Sequence, residues 1–139
     1  MAGTLIEPEA LPWETWDDPT LAARSPLRWK LIFSGRRTPT EALSFGLAEF
    51  PPGAVLPLHH HAPAEVYHGL DGEGLVEIES EPHRLRAGVS LFIPADTRYR
   101  TTSALIVPAA MFCPAHRRRR AVCLVSSFPS QRTGGLEDS

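Results

Sequence analysis

Four side chains able to do chemistry crowd into one short stretch: His59, His61, Glu65 and Tyr67. Along an extended strand, side chains at i and i+2 share a face, so His59 and His61 are expected to point together while His60 points away. After the small break at Ala62, Pro63 and Ala64, a second extended run puts Glu65 and Tyr67 on one face and Val66 and His68 on the other. Two imidazoles and a carboxylate converging in this way suit one divalent transition metal (Fe, Mn, Zn or Ni), with coordination positions left open. Tyr67, beside Glu65, adds a phenol that a nearby cation would favour as phenolate, and so as a base.

Something must hold these residues in place, and the rest of the chain reads as short strands. Its 139 residues suit one domain. The 14 prolines and 10 glycines are scattered among short apolar runs, which suits an all-β barrel with many turns and not a helical bundle. Residues 27–33 form the first expected strand, with Leu27, Trp29, Leu31 and Phe33 on one face. Residues 43–50 form a second, stopped by Pro51, Pro52 and Gly53, which feeds the histidine stretch. Asp71, Gly72, Glu73 and Gly74 are expected to make a tight hairpin. Strands are also expected over 75–79, 83–86, 104–107 and 121–125. Residues 1–26, rich in proline and acid, read as an amino-terminal arm across the barrel, anchored by Trp13 and Trp16, with a short helical turn at 20–23. The barrel is assigned to 27–128, and 129–139 to a flexible tail.

The spacing G-x5-H-x-H-x3-E-x6-G, met by Gly53, His59, His61, Glu65 and Gly72, resembles the first motif of the cupin superfamily. A second stretch resembles the motif G-x5-P-x-G-x2-H, with Gly88 and Pro94 matching. There Asp96 stands in place of the glycine, and Tyr99 in place of the histidine that usually supplies a fourth metal ligand. The resemblance implies a single-domain cupin, a double-stranded β-helix or jelly-roll barrel, whose metal is held by His59, His61 and Glu65. Tyr99 would then be a weak fourth ligand, a partner of metal-bound water, or a substrate-binding residue at the barrel mouth. Small cupins commonly pair, so a homodimer is expected.

The finer string from His59 to Tyr67, with Pro63 inside it and a Gly-x-Gly turn after it, is similar to small cupin lyases that cleave dimethylsulfoniopropionate. That likeness covers residues 40–100 and implies base-assisted β-elimination from a small carboxylate substrate, with Tyr67 as the base. Other cupin chemistries use the same scaffold: a dioxygenase, an isomerase, a cyclase, or a non-catalytic small-molecule-binding cupin that has lost its metal.

Composition narrows the partners. The net charge of −2 suits no polyanion, although residues 1–97 carry 7 basic and 14 acidic side chains and residues 98–139 carry 7 and 2. The run Arg117 to Arg120 lacks interleaved aromatics and reads as a solvated loop, so no nucleic acid is expected. No apolar run is long enough to span a bilayer, and the first residues lack the basic start and apolar stretch of a signal peptide; a cytoplasmic location is expected. Cys113 and Cys123 have no zinc-ligand spacing and are read as free thiols.

Overall fold

The computed structural model describes residues 3–35, 37–38 and 43–103, together with the backbone of 121–128. The strand expected over 104–107, the arginine run, Cys113 and the tail over 129–139 lie outside the described residues.

Among the described residues the regular elements are mostly strands: β1 (Arg28–Phe33), β2 (Ser44–Phe50), β3 (Val55–His59), β4 (Ala64–Asp71), β5 (Glu73–Ile78), β6 (Glu81–Arg86), β7 (Ser90–Ile93), β8 (Tyr99–Ser103) and β9 (Ala121–Phe128). They form two sheets, ordered β1-β2-β9-β4-β7 and β3-β8-β5-β6. The late strand β9 lies in the middle of the first sheet, antiparallel to both β2 and β4. This is an all-β, single-domain architecture of two layers around one core.

That core is built from inward-facing positions of both sheets: Phe50, Tyr67, Val76, Leu85, Ile93 and Tyr99 are all buried. In β4 the alternation is strict from Ala64 to Gly69, with Glu65, Tyr67 and Gly69 buried and the residues between them half-buried. Gly69 also holds the β6–β7 connection, where the chain passes from the second sheet back to the first. Its N–H donates to the Val89 carbonyl at 2.9 Å, and its own carbonyl accepts from Gly88 N–H at 2.9 Å. A methyl group at Gly69 would run into the Arg86 carbonyl, so the close approach requires glycine.

Two expectations change. Gly72, with φ of 68°, turns the chain from the first sheet into the second, so it is a corner and not a hairpin. The hairpin lies between β5 and β6, at Glu79 and Ser80, which take φ of 48° and 70° without a glycine. The second change concerns β1, whose register shifts between Leu31 and Phe33, so the four apolar residues do not form one regular face. Its other face is covered too: Lys30 and Ile32 are buried at 8% and 5% exposure.

The cover on that face comes from the amino-terminal residues. Lys30 Nζ donates to the Pro8 carbonyl at 2.7 Å, and the Trp13 ring lies 4.8 Å from that ammonium and 4.2 Å from the Arg28 guanidinium. Glu14 exchanges backbone hydrogen bonds with Trp29, extending the sheet edge by one bridge. Trp16 stands edge-on to Trp29, with ring centroids 5.1 Å apart. The short helix α1 (Pro19–Arg24) follows, started by the Asp18 carboxylate, which accepts from Thr20 N–H at 2.8 Å, and by Pro19 in the first turn.

Candidate functional site

Three strands and one loop bring the chemistry-bearing residues together at the end of β3. His59 is the last residue of β3 and pairs across the second sheet with Tyr99, the first of β8. Glu65 and Tyr67 come from the opposite sheet, on the buried face of β4. His61 lies past the end of β3, so strand alternation does not place it. Its carbonyl accepts from Asp96 N–H at 3.0 Å, and Asp96 holds φ of 55°, the left-handed conformation of the glycine it replaces. The turn after β7 thus fixes the histidine loop through the backbone. Sequence reading found Asp96 as a tolerated substitution but not this positioning contact, which links residues far apart in the chain.

The side chains are tightly linked. Tyr99, 1% exposed, donates its hydroxyl proton to Glu65 Oε2 at 2.5 Å. The Tyr67 hydroxyl donates to Tyr99 Oη over 3.5 Å, a long contact, with the rings edge to face. His61 Nε2 lies 3.0 Å from Glu65 Oε1 and 3.1 Å from Tyr99 Oη. His59 stands at the side, its ring centroid 4.3 Å from that of Tyr99 and 5.9 Å from that of His61. His60 is exposed, and His68 faces outward, its Nδ1 2.8 Å from Ser90 Oγ.

Both inward imidazoles have their second nitrogen fixed. His59 Nδ1 is 2.7 Å from the Pro57 carbonyl and His61 Nδ1 is 2.8 Å from the Pro63 carbonyl. A carbonyl only accepts, so each Nδ1 carries a proton and each Nε2 is left for a proton or a metal, the arrangement usual for ligating histidines. Their electrostatics diverge. Burial holds His59 below the ordinary imidazole range, whereas the hydrogen bond to Glu65 raises His61 above it, against some desolvation. A neutral His61 would set its Nε2 lone pair against the Glu65 carboxylate. A proton or a cation between the two groups removes that clash.

The donor set fits a metal in kind, with two oriented imidazoles, a buried carboxylate and a phenol. It is not assembled as a ready cation site: among the described residues no three His, Cys, Asp or Glu side chains are grouped to hold a metal ion. Glu65 is satisfied instead by Tyr99 and His61, so a metal would have to displace at least one of those protons.

Comparison with known proteins follows the same lines. A family model described as Cupin domain matches residues 46–113. The chain is 39% identical over 98 residues to the dimethylsulfoniopropionate lyase DddW of Ruegeria pomeroyi, a match covering 70% of this chain and 62% of that protein. The chain thus spans about three fifths of that relative's length. In fold it is similar to the polyketide cyclase RemF of Streptomyces resistomycificus, with a TM-score of 0.70, 13% identity and coverage of 99% and 89% of the two chains. It is also similar to the DMSP lyase DddQ of Ruegeria pomeroyi, with a TM-score of 0.54, 24% identity and coverage of 68% and 42%.

Proposed function

We propose that this all-β, single-domain chain, which matches the Cupin domain model over residues 46–113 and is 39% identical over 98 residues to a dimethylsulfoniopropionate lyase, is a metal-dependent cupin lyase. The reaction is base-assisted β-elimination from a small carboxylate, with a β-sulfonium carboxylate such as dimethylsulfoniopropionate as the first candidate substrate. In this reading His59, His61 and Glu65 hold the metal and Tyr67 is the catalytic base. A bound divalent transition metal (iron, manganese, zinc and nickel all suit the donors) would supply Lewis acidity at the substrate carboxylate and so acidify the adjacent C–H bond.

The protein's own part is the proton. Tyr67 is 2% exposed and lies on the same face of β4 as Glu65, so its oxygen faces the interior where a bound carboxylate would sit. As phenolate it takes the α proton; the C–H electron pair becomes the new carbon–carbon double bond. The bond to the β leaving group breaks with its pair on the leaving atom, which turns a sulfonium into a neutral thioether. A positioned base of this kind contributes about 10²–10⁴-fold in rate. The buried walls around it, Ile93 and Tyr99 among them, exclude water from the developing charge.

What carries the reading is the burial of Tyr67 beside Glu65 in a chain 39% identical to such a lyase. Tyr67→Phe should lower kcat for dimethyl sulfide release by about 10²-fold or more with little change in KM. Full activity in Tyr67→Phe would remove it from the base role. Chelation should abolish turnover, and readdition of metal should restore it. Oxygen consumption during turnover would favour a dioxygenase, and conversion without a released leaving group an isomerase or cyclase.

One observation favours a second reading, a non-catalytic small-molecule-binding cupin: Glu65 has its hydrogen bonds met without a cation. Elemental analysis of purified protein decides between them, since near-stoichiometric metal lost in His61→Ala supports the enzyme. The remaining parts of the proposal are a cytoplasmic homodimer that works on small molecules and not on nucleic acid or membranes. Light scattering giving twice the 15.3 kDa chain mass would support the dimer.

A further inference from the structure

The motif pairs His59 with His61, yet the tightest grouping of donors is His61, Glu65 and Tyr99. Donor atoms sharing one metal at right angles, with bonds of about 2.0–2.2 Å, stand about 3 Å apart. His61 Nε2 keeps that separation from Glu65 Oε1, at 3.0 Å, and from Tyr99 Oη, at 3.1 Å. Tyr99 is held there rigidly. It is 1% exposed, its ring packs 4.3 Å from His59 and 6.1 Å from Tyr67, and its hydroxyl already points at Glu65.

Resting on the metalloenzyme reading above, we propose that Tyr99 is itself a full metal ligand, forming with His61 and Glu65 a face of one nitrogen and two anionic oxygens, with His59 as the flanking fourth donor. The histidine usual at position 99 would give a neutral nitrogen; a phenolate gives a second negative charge and a hard oxygen. The site should therefore prefer a harder, more highly charged ion, which narrows the divalent metals named above to iron and favours its ferric state over zinc or nickel. The proton that Tyr99 now shares with Glu65 leaves to solvent as the ion enters. Tyr67, whose hydroxyl reaches Tyr99 only over 3.5 Å, stays outside the ligand set and keeps its role as base.

The test uses the whole chain loaded with ferric iron alone and a visible absorption spectrum, because a phenolate bound directly to ferric iron produces a charge-transfer band. Wild type and Tyr67→Phe should show the band. Tyr99→Phe should lose it, and its preference for ferric iron over zinc should fall about tenfold or more. Tyr99→His, which restores an imidazole, should bind iron without the band, and its circular dichroism shows whether the barrel is intact. A band that survives in Tyr99→Phe, or that vanishes in Tyr67→Phe instead, overturns the assignment. Iron bound by wild type without any band overturns it while leaving the lyase reading standing. A wild type that binds no metal of any kind overturns both.

Discussion

His59 and His61 are two residues apart and of one chemical type, yet their environments push them in opposite directions. Burial disfavours the charged form of His59, whereas Glu65 stabilises that of His61. In metal-free protein, imidazole NMR should therefore find His59 titrating below 6.5 and His61 above it. The signs follow for stability. The raised His61 contributes stability below its unfolded value that is lost as pH rises through its folded value; the lowered His59 costs stability as pH falls below 6.5. Both rings titrating together would mean that the Glu65 contact is not made in solution. Because His61 must give up that proton to a metal, metal affinity should also weaken as pH falls. At this scale the shared buried face of Glu65 and Tyr67 was legible, because β4 keeps a strict alternation; the place of His61, past the end of β3, was not set by alternation. The motif resemblance put Tyr99 at the same site, but its direct hydrogen bond to Glu65 was not legible, since it depends on how two sheets meet.

At the level of elements, local turn chemistry misled where glycine was the guide. Gly72 and Gly74 suggested a hairpin, but the chain changes sheets there, and the reversal falls on Glu79 and Ser80, which carry no turn signature. Both take positive φ, a conformation costing a non-glycine residue about 1–2 kcal/mol. Ser80→Gly should therefore stabilise the protein by about 0.5–1 kcal/mol, after the entropy glycine loses on folding, and raise Tm by a few degrees in a calorimetric scan. A fall in Tm would show that the turn is relaxed in solution. Asp96 holds the same region at φ of 55°, where its N–H meets the His61 carbonyl. Asp96→Gly should keep iron or zinc binding unchanged, whereas Asp96→Val should lower it about tenfold by displacing the loop. Equal affinities in both variants would separate the turn from the site.

Across the whole molecule, closure of the barrel depends on a few close approaches. Gly69 ties β4 to the β6–β7 connection through hydrogen bonds to Gly88 and Val89, with no space for a side chain against Arg86. Gly69→Ala should cost about 2–3 kcal/mol, seen as a lower urea midpoint, and an unchanged midpoint would mean that the sheets separate there without penalty. All-β class and single-domain size were legible from proline, glycine and short apolar runs. The position of β9 between β2 and β4 was not, because nothing local to residues 121–128 names partners so distant in the chain. The outer faces also differ. The second sheet carries cross-strand pairs of Arg84 with Glu73 and Arg100 with Glu77, whereas β1 in the first is covered by the amino-terminal residues.

The amino-terminal residues thus bring every tryptophan of the chain together around β1, Trp13 over Arg28 and Lys30 and Trp16 against Trp29 beside the core, while the candidate site holds tyrosines and histidines instead. The protein is thus labelled by its own composition: emission excited in the indoles reports docking of the amino-terminal residues, and phenol absorbance reports the site, so the two can be followed separately in a single cuvette.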